Sequence, residues 1–378
     1  MALAAAPPAV AAAGDDAADV VIGHQGFGGG YPTECAVPPN AASLCQPMQS
    51  VVDGAGNVWV ADYGNSRVLM FPRGSTKATK VLGTDGSFTT GEPPPSDYPG
   101  PGDSCNDQRG TAGADTLCQP EGLAIDRATG TLYVADTYNS RVLVYFNAAS
   151  KTGNSPADLV LGQPNFAGSD ANNVAGGGTA PYVCPDSTND RATQCTLNEP
   201  ESVSLDSAGD LFVADTFNNR VLEWAKATLS HFGAGACASS CSIPATHVWG
   251  QYGSFETADP NNPNVPSAYA SNCRVPARAS ACTMFMPSDA IVTGSHLVVA
   301  DYANNRLLDF PSALGHPATQ NAAAVYGQPA AAANSSNEGS LTPTAGTVWN
   351  PERLAADVAG DLWVADALNS RVLEFPPP

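Results

Sequence analysis

Leu211-Phe212-Val213-Ala214-Asp215-Thr216-Phe217-Asn218-Asn219-Arg220-Val221-Leu222-Glu223-Trp224 is the stretch on which the fold of this chain turns. It recurs at residues 58–71, 132–145, 297–310 and 362–375. All five copies keep Val-Ala-Asp, two free positions, Asn, Ser or Asn, Arg, and an apolar pair. A fixed internal repeat of this kind is the signature of a repeat architecture and outranks any single residue.

Each copy reads as two β-prone runs joined by a tight turn, Asp-x-x-Asn-x-Arg. Asp accepts hydrogen bonds from turn amides, and Asn tolerates positive φ. The Arg returns on the second run, within reach of the Asp. The sets Asp62, Asn65, Arg67; Asp136, Asn139, Arg141; Asp215, Asn218, Arg220; Asp301, Asn304, Arg306; and Asp366, Asn369, Arg371 therefore read as turn clamps. An active site is needed once, whereas a turn is needed in every unit, so the repetition itself speaks against catalytic acids here.

Two further elements recur. Ahead of each copy stands a Pro-led apolar run with a hairpin, at 47–57, 120–131, 200–210, 287–296 and 351–361. The turns at 53–57, 206–210 and 357–361 carry Asp and Gly and are hairpin signals. They are too short for a twelve-residue calcium loop and lack its closing Glu. After each copy comes a short β-prone run ending in Gly, as in Val81-Leu82-Gly83, Leu159-Val160-Leu161-Gly162, Val248-Trp249-Gly250 and Val325-Tyr326-Gly327. A fifth such run, Val20-Val21-Ile22-Gly23, opens the chain. Phe27, Phe88, Phe166 and Phe255 follow four of these runs and read as turn anchors.

Four antiparallel strands per unit, repeated radially, make an all-β propeller. The unit Asp-x-x-Gly-Asp-Leu-x-Val-Ala-Asp-x-x-Asn-x-Arg-Val-Leu resembles the NHL repeat, and its copies span about 20–375. The resemblance is to bacterial, secreted proteins of this type, and the loops here are longer than the usual NHL linker. Five blades are expected, with six as the alternative. The N-terminal run is expected to pair with the last blade, which lacks an outer strand of its own, and so close the ring without an open edge.

Residues 1–18 read as a signal-peptide remnant or a disordered Ala/Pro leader, and 19–378 as a single propeller domain. The 378 residues carry 16 basic and 36 acidic side chains, a net charge of −20. That disfavours nucleic acid and anionic membrane surfaces as partners, since both need basic patches. No apolar run reaches the roughly 18 residues of a membrane-spanning helix. Abundant Ala, Gly, Pro and Asp with only four Lys suit a GC-rich bacterial genome.

The ten cysteines fall into local pairs: Cys35 with Cys45, Cys105 with Cys118, Cys184 with Cys195, Cys237 with Cys241, and Cys273 with Cys282. Even count and repeat-matched placement favour five short-range disulfides over zinc, whose Cys-x-x-Cys pairs are absent. Disulfides imply an oxidising compartment, hence a secreted, extracellular or periplasmic protein. The Gly-rich stretch 168–181 has no such pin within it.

Candidate site residues are those outside the repeated clamp. The Pro-led strands should be innermost. Glu121, Glu201, Asp289 and Glu352, just after the prolines, could ring the channel mouth and hold calcium through oxygen ligands. The competing reading pairs each acid with an Arg or a turn amide. Arg353 breaks the pattern beside Glu352. Tyr31, Tyr98, Tyr182 and Tyr269 precede the loop cysteines, and Trp349 takes their place in the fifth loop; exposed aromatics there could stack on a sugar or grip a partner. The resemblance also covers enzymes: amidating lyases of this architecture use a His-ligated zinc, and lactonase-like propellers use calcium. His24, His231, His247, His296 and His316 do not lie on Pro-led strands, which speaks against such a zinc site. No Gly-x-Ser-x-Gly elbow is present, and the cysteines are engaged. The expectation is a monomeric, non-catalytic binding or scaffold propeller. It recognises a protein, peptide or glycan through its disulfide-pinned loops and requires no cofactor. The alternative is a calcium-dependent hydrolase or lyase at the channel mouth.

Overall fold

The computed structural model describes residues 18, 20–24, 35, 38–90, 105–108, 111–152, 155–173, 177–179, 182–184, 191–234, 236–237, 243–262, 279–311 and 321–378. Five antiparallel sheets follow one another around a ring. The first blade is β1 (Pro47–Val52), β2 (Val58–Asp62), β3 (Arg67–Phe71) and β4 (Lys80–Leu82). The second is β5 (Leu123–Asp126), β6 (Thr131–Asp136), β7 (Arg141–Tyr145) and β8 (Leu159–Leu161). A small hairpin, β9 (Gly177–Thr179) and β10 (Tyr182–Cys184), stands in the loop after it. The third blade is β11 (Ser202–Leu205), β12 (Leu211–Asp215), β13 (Arg220–Trp224) and β14 (His247–Trp249). The fourth is β15 (Pro287–Thr293), β16 (His296–Asp301), β17 (Arg306–Phe310) and β18 (Ala324–Tyr326). The fifth, β19 (Pro351–Ala356), β20 (Leu362–Asp366) and β21 (Arg371–Phe375), has three strands among the described residues.

The core lies between blades, because alternate residues of a strand face opposite sides of its sheet. Leu211, Val213, Leu222 and Trp224 pack back onto the second blade, in one cluster with Leu143 and Val160. Phe212 and Val221 pack forward onto Leu297, Val299 and Leu308 of the fourth. Val298, Ala300 and Leu307 in turn meet Leu362 and Val364 of the fifth.

The Asp-x-x-Asn-x-Arg clamp forms as the repeat implied. Asp62 takes the Arg67 guanidinium Nε at 2.7 Å and the Asn65 amide at 2.9 Å, and both ends of the ion pair are fully buried. The other nitrogens of Arg67 donate to Phe88 O, Asn40 O and Ser43 O, in the loops that leave and enter its blade. Arg141 and Arg220 repeat this on Phe166 O and Phe255 O. The anchoring phenylalanines thus contribute a carbonyl to the clamp. Burial pushes the four innermost clamp carboxyls, Asp62, Asp136, Asp215 and Asp301, up, and the paired Arg pulls each back.

Clamps also tie blade to blade. The residue after the turn Asn is left-handed in every copy, and its side chain caps the amide that precedes the next blade's first proline. Gln119 N donates to Ser66 Oγ, Glu199 N to Ser140 Oγ, Met286 N to Asn219 Oδ1 and Asn350 N to Asn305 Oδ1, at 2.8–3.3 Å. This explains why only Ser or Asn stands there.

At the seam between the last and first blades the N-terminal segment takes an outer-strand place. Gly23, at φ +90°, accepts from Leu44 N at 3.2 Å, as Gly83, at φ +100°, accepts from Leu117 N at 3.3 Å. A Cβ on either glycine would collide with its Leu at 2.5–2.6 Å. The N-terminal segment therefore docks on the first blade as an outer strand's end would. Its residues do not form a strand on β21 among those described, and Ser370 makes no tie to Gln46 like the four above. Trp363 and Val372 are 40% and 65% exposed, whereas Trp59 and Val68, at the same places in the first blade, are 0% exposed.

Candidate functional site at the channel mouth

A proline opens or shortly precedes each blade's first strand, and the residue before it is left-handed: Gln46, Gln119, Glu199, Met286 and Asn350 have φ of 45–51°. Non-glycine residues adopt this conformation at a cost and before proline it is further disfavoured. The inter-blade caps on their amides hold four of the five there. The result aims Gln46, Glu199 and Met286 into a pocket of about 770 Å³ lined by all five blades.

The pocket has two chemistries. One is acidic: Glu121, Glu199, Glu201 and Glu352 line it, with Arg353 as the sole Lys or Arg of the lining. Arg353 donates to Glu121 Oε2 at 3.0 Å and to Ser288 O at 2.8 Å, crossing from the fifth blade to the second and fourth. Burial pushes the Glu121 carboxyl up, against the pull of Arg353. Burial, reinforced by the charge of Glu121, pushes Glu201 up to about 8. Glu199 is also raised by burial. Two neighbouring carboxyls desolvated together disfavour double ionisation.

The other chemistry is aromatic. The two free positions of the clamp turn, between Asp and Asn, carry Tyr63, Thr137 and Tyr138, Thr216 and Phe217, and Tyr302, and these side chains line the pocket. Tyr63 and Tyr138 meet edge to face, their centroids 6.5 Å apart. Phe217 is 44% exposed. The repeated positions build the ring, while the unrepeated positions within the same motif furnish the pocket.

The structure brings together Glu121, Glu201 and Glu352 of the four acids singled out in the sequence. Asp289 stands apart, engaged by Ser202 Oγ and by Leu354 N at 2.8 Å. It braces three blades instead of lining the pocket. Among the described residues no group of three or more His, Cys, Asp or Glu is placed to hold a metal ion. Tyr31, Tyr98 and Tyr269 lie outside the described residues, and Tyr182 opens β10. Trp349 is half-buried and outside the pocket lining. Its amide donates to Asp366 Oδ1 at 2.7 Å, the bond that the amides of Cys45 and Cys118 make to Asp62 and Asp136. Disulfides join Cys35–Cys45, Cys105–Cys118 and Cys184–Cys195. Cys237 and Cys282 are also disulfide-bonded, and their expected partners, Cys241 and Cys273, lie outside the described residues. Cys45 and Cys118 stand one and two residues before Gln46 and Pro120, so these pinned loops end at the mouth.

Residues 117–145, running through β6 and β7, match the NHL repeat. The chain carries an NHL repeat on a five-bladed propeller. A comparison with curated proteins found no match. Among solved structures, this propeller is similar to a streptogramin B lyase, with 10% identity and TM-score 0.41 over 91% of this chain and 72% of that one. It is similar to an auxiliary nutrient binding protein from Bacteroides ovatus, with 10% identity and TM-score 0.47 over 88% of this chain and 59% of that one. It is also similar to virginiamycin B lyase from Staphylococcus aureus, with 12% identity and TM-score 0.36 over 87% and 84%.

Proposed function

We propose that this chain is a secreted, non-catalytic binding propeller whose ligand, a glycan, a peptide or an exposed side chain of a protein, seats in the channel-mouth pocket. The observation that carries this reading is that the side chains departing from the repeat, Tyr63, Tyr138, Phe217, Tyr302 and Arg353, converge on one pocket. Pockets of this size with a few convergent polar groups are the usual place for ligands. Disulfides support an extracellular or periplasmic setting. Among the described residues no helix is long and apolar enough to cross a membrane. The test is a glycan and peptide array probed with the protein and with Tyr138→Ala/Phe217→Ala. A ligand retained by the protein and lost by the variant supports the pocket. One bound equally by both places recognition elsewhere.

A second reading is a calcium-dependent hydrolase or lyase: Glu121, Glu201 and Glu352 line one pocket but are not grouped as metal ligands, so calcium would have to draw them together. Metal analysis before and after chelation, with melting curves in calcium, decides it. Protein that binds no stoichiometric calcium and shows no shift in Tm rules it out.

A further inference from the structure

We infer that the mouth pocket selects an organic cation, an amine or guanidinium group, which seats against Glu201 beneath the aromatic wall and competes with Arg353 for Glu121. This inference rests on the reading of the mouth as the ligand site.

The charge balance carries it. Four carboxyls, Glu121, Glu199, Glu201 and Glu352, share the pocket with one guanidinium. Arg353 divides its donors between Glu121 and the Ser288 carbonyl. The Glu201 carboxyl accepts no hydrogen bond among the described residues and is partly exposed to the pocket, where burial and the charges of Glu121, Glu352 and Glu199 bear on it. Acids crowded in this way repel one another, and an incoming cation relieves the repulsion. A neutral sugar brings hydroxyl donors but no compensating charge.

The wall points the same way. Tyr63, Tyr138, Phe217 and Tyr302 come from four successive blades. Aromatic faces attract cations, and the attraction grows where water is excluded. Carboxylates and aromatic rings lining one pocket are the groups that hold ammonium and guanidinium ions. Arg353 occupies the place of such a ligand on Glu121: a chain-borne guanidinium already seated on one of the acids.

The inference predicts a proton-coupled affinity. Glu201 holds a proton below about pH 8, and a seated cation favours its release. Affinity therefore rises with pH, up to about tenfold per unit, and levels off above that value. The groups facing Glu201 in the pocket are Glu121, Glu199, Glu352 and Arg353.

Calorimetry with three probes tests this: choline, an end-blocked Gly-Arg-Gly peptide, and cellobiose as a neutral ligand that stacks on rings. One or both cations should bind at one per chain, more tightly as pH rises. Choline alone points to a free small cation, and the peptide alone to a basic side chain. Glu201→Gln should lose at least tenfold in affinity at unchanged Tm, and Arg353→Gln should bind more tightly because it frees Glu121. The inference is overturned if neither cation binds, if Glu201→Gln binds them undiminished, or if Arg353→Gln binds them more weakly. Cellobiose binding that is lost in Tyr138→Ala/Phe217→Ala would overturn the cation and leave the pocket as the ligand site. A ligand indifferent to that double variant would instead remove the pocket itself.

Discussion

Asn106 and Asn139 exchange a reciprocal pair of amide hydrogen bonds, at 3.1 and 2.9 Å, across 33 residues of chain. The same exchange joins Asn172 to Asn218, Asn261 to Asn304 and Asn337 to Asn369. In each pair the first Asn is a left-handed loop residue and the second belongs to the clamp turn. The long loops are thus registered on the blades they enter by a polar lock as well as by disulfides. Asn261→Ala leaves the buried Asn304 amide short of a partner and should cost ~2 kcal/mol, read from urea unfolding midpoints. A change within error would show that the lock has no net worth.

Burial should grade the clamps. Arg220 is fully buried against Asp215, whereas Arg371 is 25% exposed against Asp366. Lysine cannot reproduce the fork that reaches Asp215, Phe255 O, Thr193 O and Thr196 O together. Arg220→Lys should cost on the order of 3 kcal/mol, in the range for breaking a buried pair. Arg371→Lys should cost no more than about 1 kcal/mol. Equal losses in chemical denaturation would contradict this gradient.

Stability should fall with rising pH through one buried acid. Glu223 on β13 is fully buried, 3.5 Å from His247 Nδ1. Burial first, then repulsion from Asp210 and Asp206, raises its carboxyl to about 8. The unfolded chain releases that proton near pH 4.3. The stabilisation is therefore complete below the unfolded value and is lost as pH climbs through about 8. Tm should decline between about pH 5 and about pH 8 and level off above, and Glu223→Gln should reduce the decline to the share left by Glu201 and the other raised carboxyls. A parallel decline in the variant would assign it to other groups.

The seam should be visible by fluorescence. Trp59, Trp224 and Trp249 are at most 1% exposed, and Trp363 is 40% exposed. Acrylamide should quench a red-shifted component that Trp363→Phe removes. Quenching unchanged in that variant would place the exposed indole elsewhere and argue for a covered seam.

The clamp was legible in the sequence because Asp62, Asn65 and Arg67 repeat at fixed spacing, and fixed spacing is what a β-turn demands. The pocket was less so, and for a related reason. Tyr63, Tyr138, Phe217 and Tyr302 occupy the turn's free positions, where the absence of a shared residue looked like the absence of a role. Asn106 and its equivalents sit at varying distances from the clamp in loops of unequal length, so no register exposes them. Glu199 and Met286 precede prolines, where local sterics argue for extended backbone. At these two the cap from the neighbouring blade accompanies the left-handed conformation, and such a contact has no trace in local sequence. Glu121 and Glu201 were found because they follow those prolines. Asp289 breaks the pattern by one position: Ser288 takes the place after Pro287 and lines the pocket, while Asp289 is engaged by Ser202, a residue whose partnership no spacing announces.

The seam between the last and first blades has a consequence for the pocket. Gln46, Pro47 and Met48 of the first blade and Glu352 and Arg353 of the fifth line the same cavity. They belong to the first and last blades of the ring. A ligand that contacts both bridges the seam, so its binding energy also holds these two blades together.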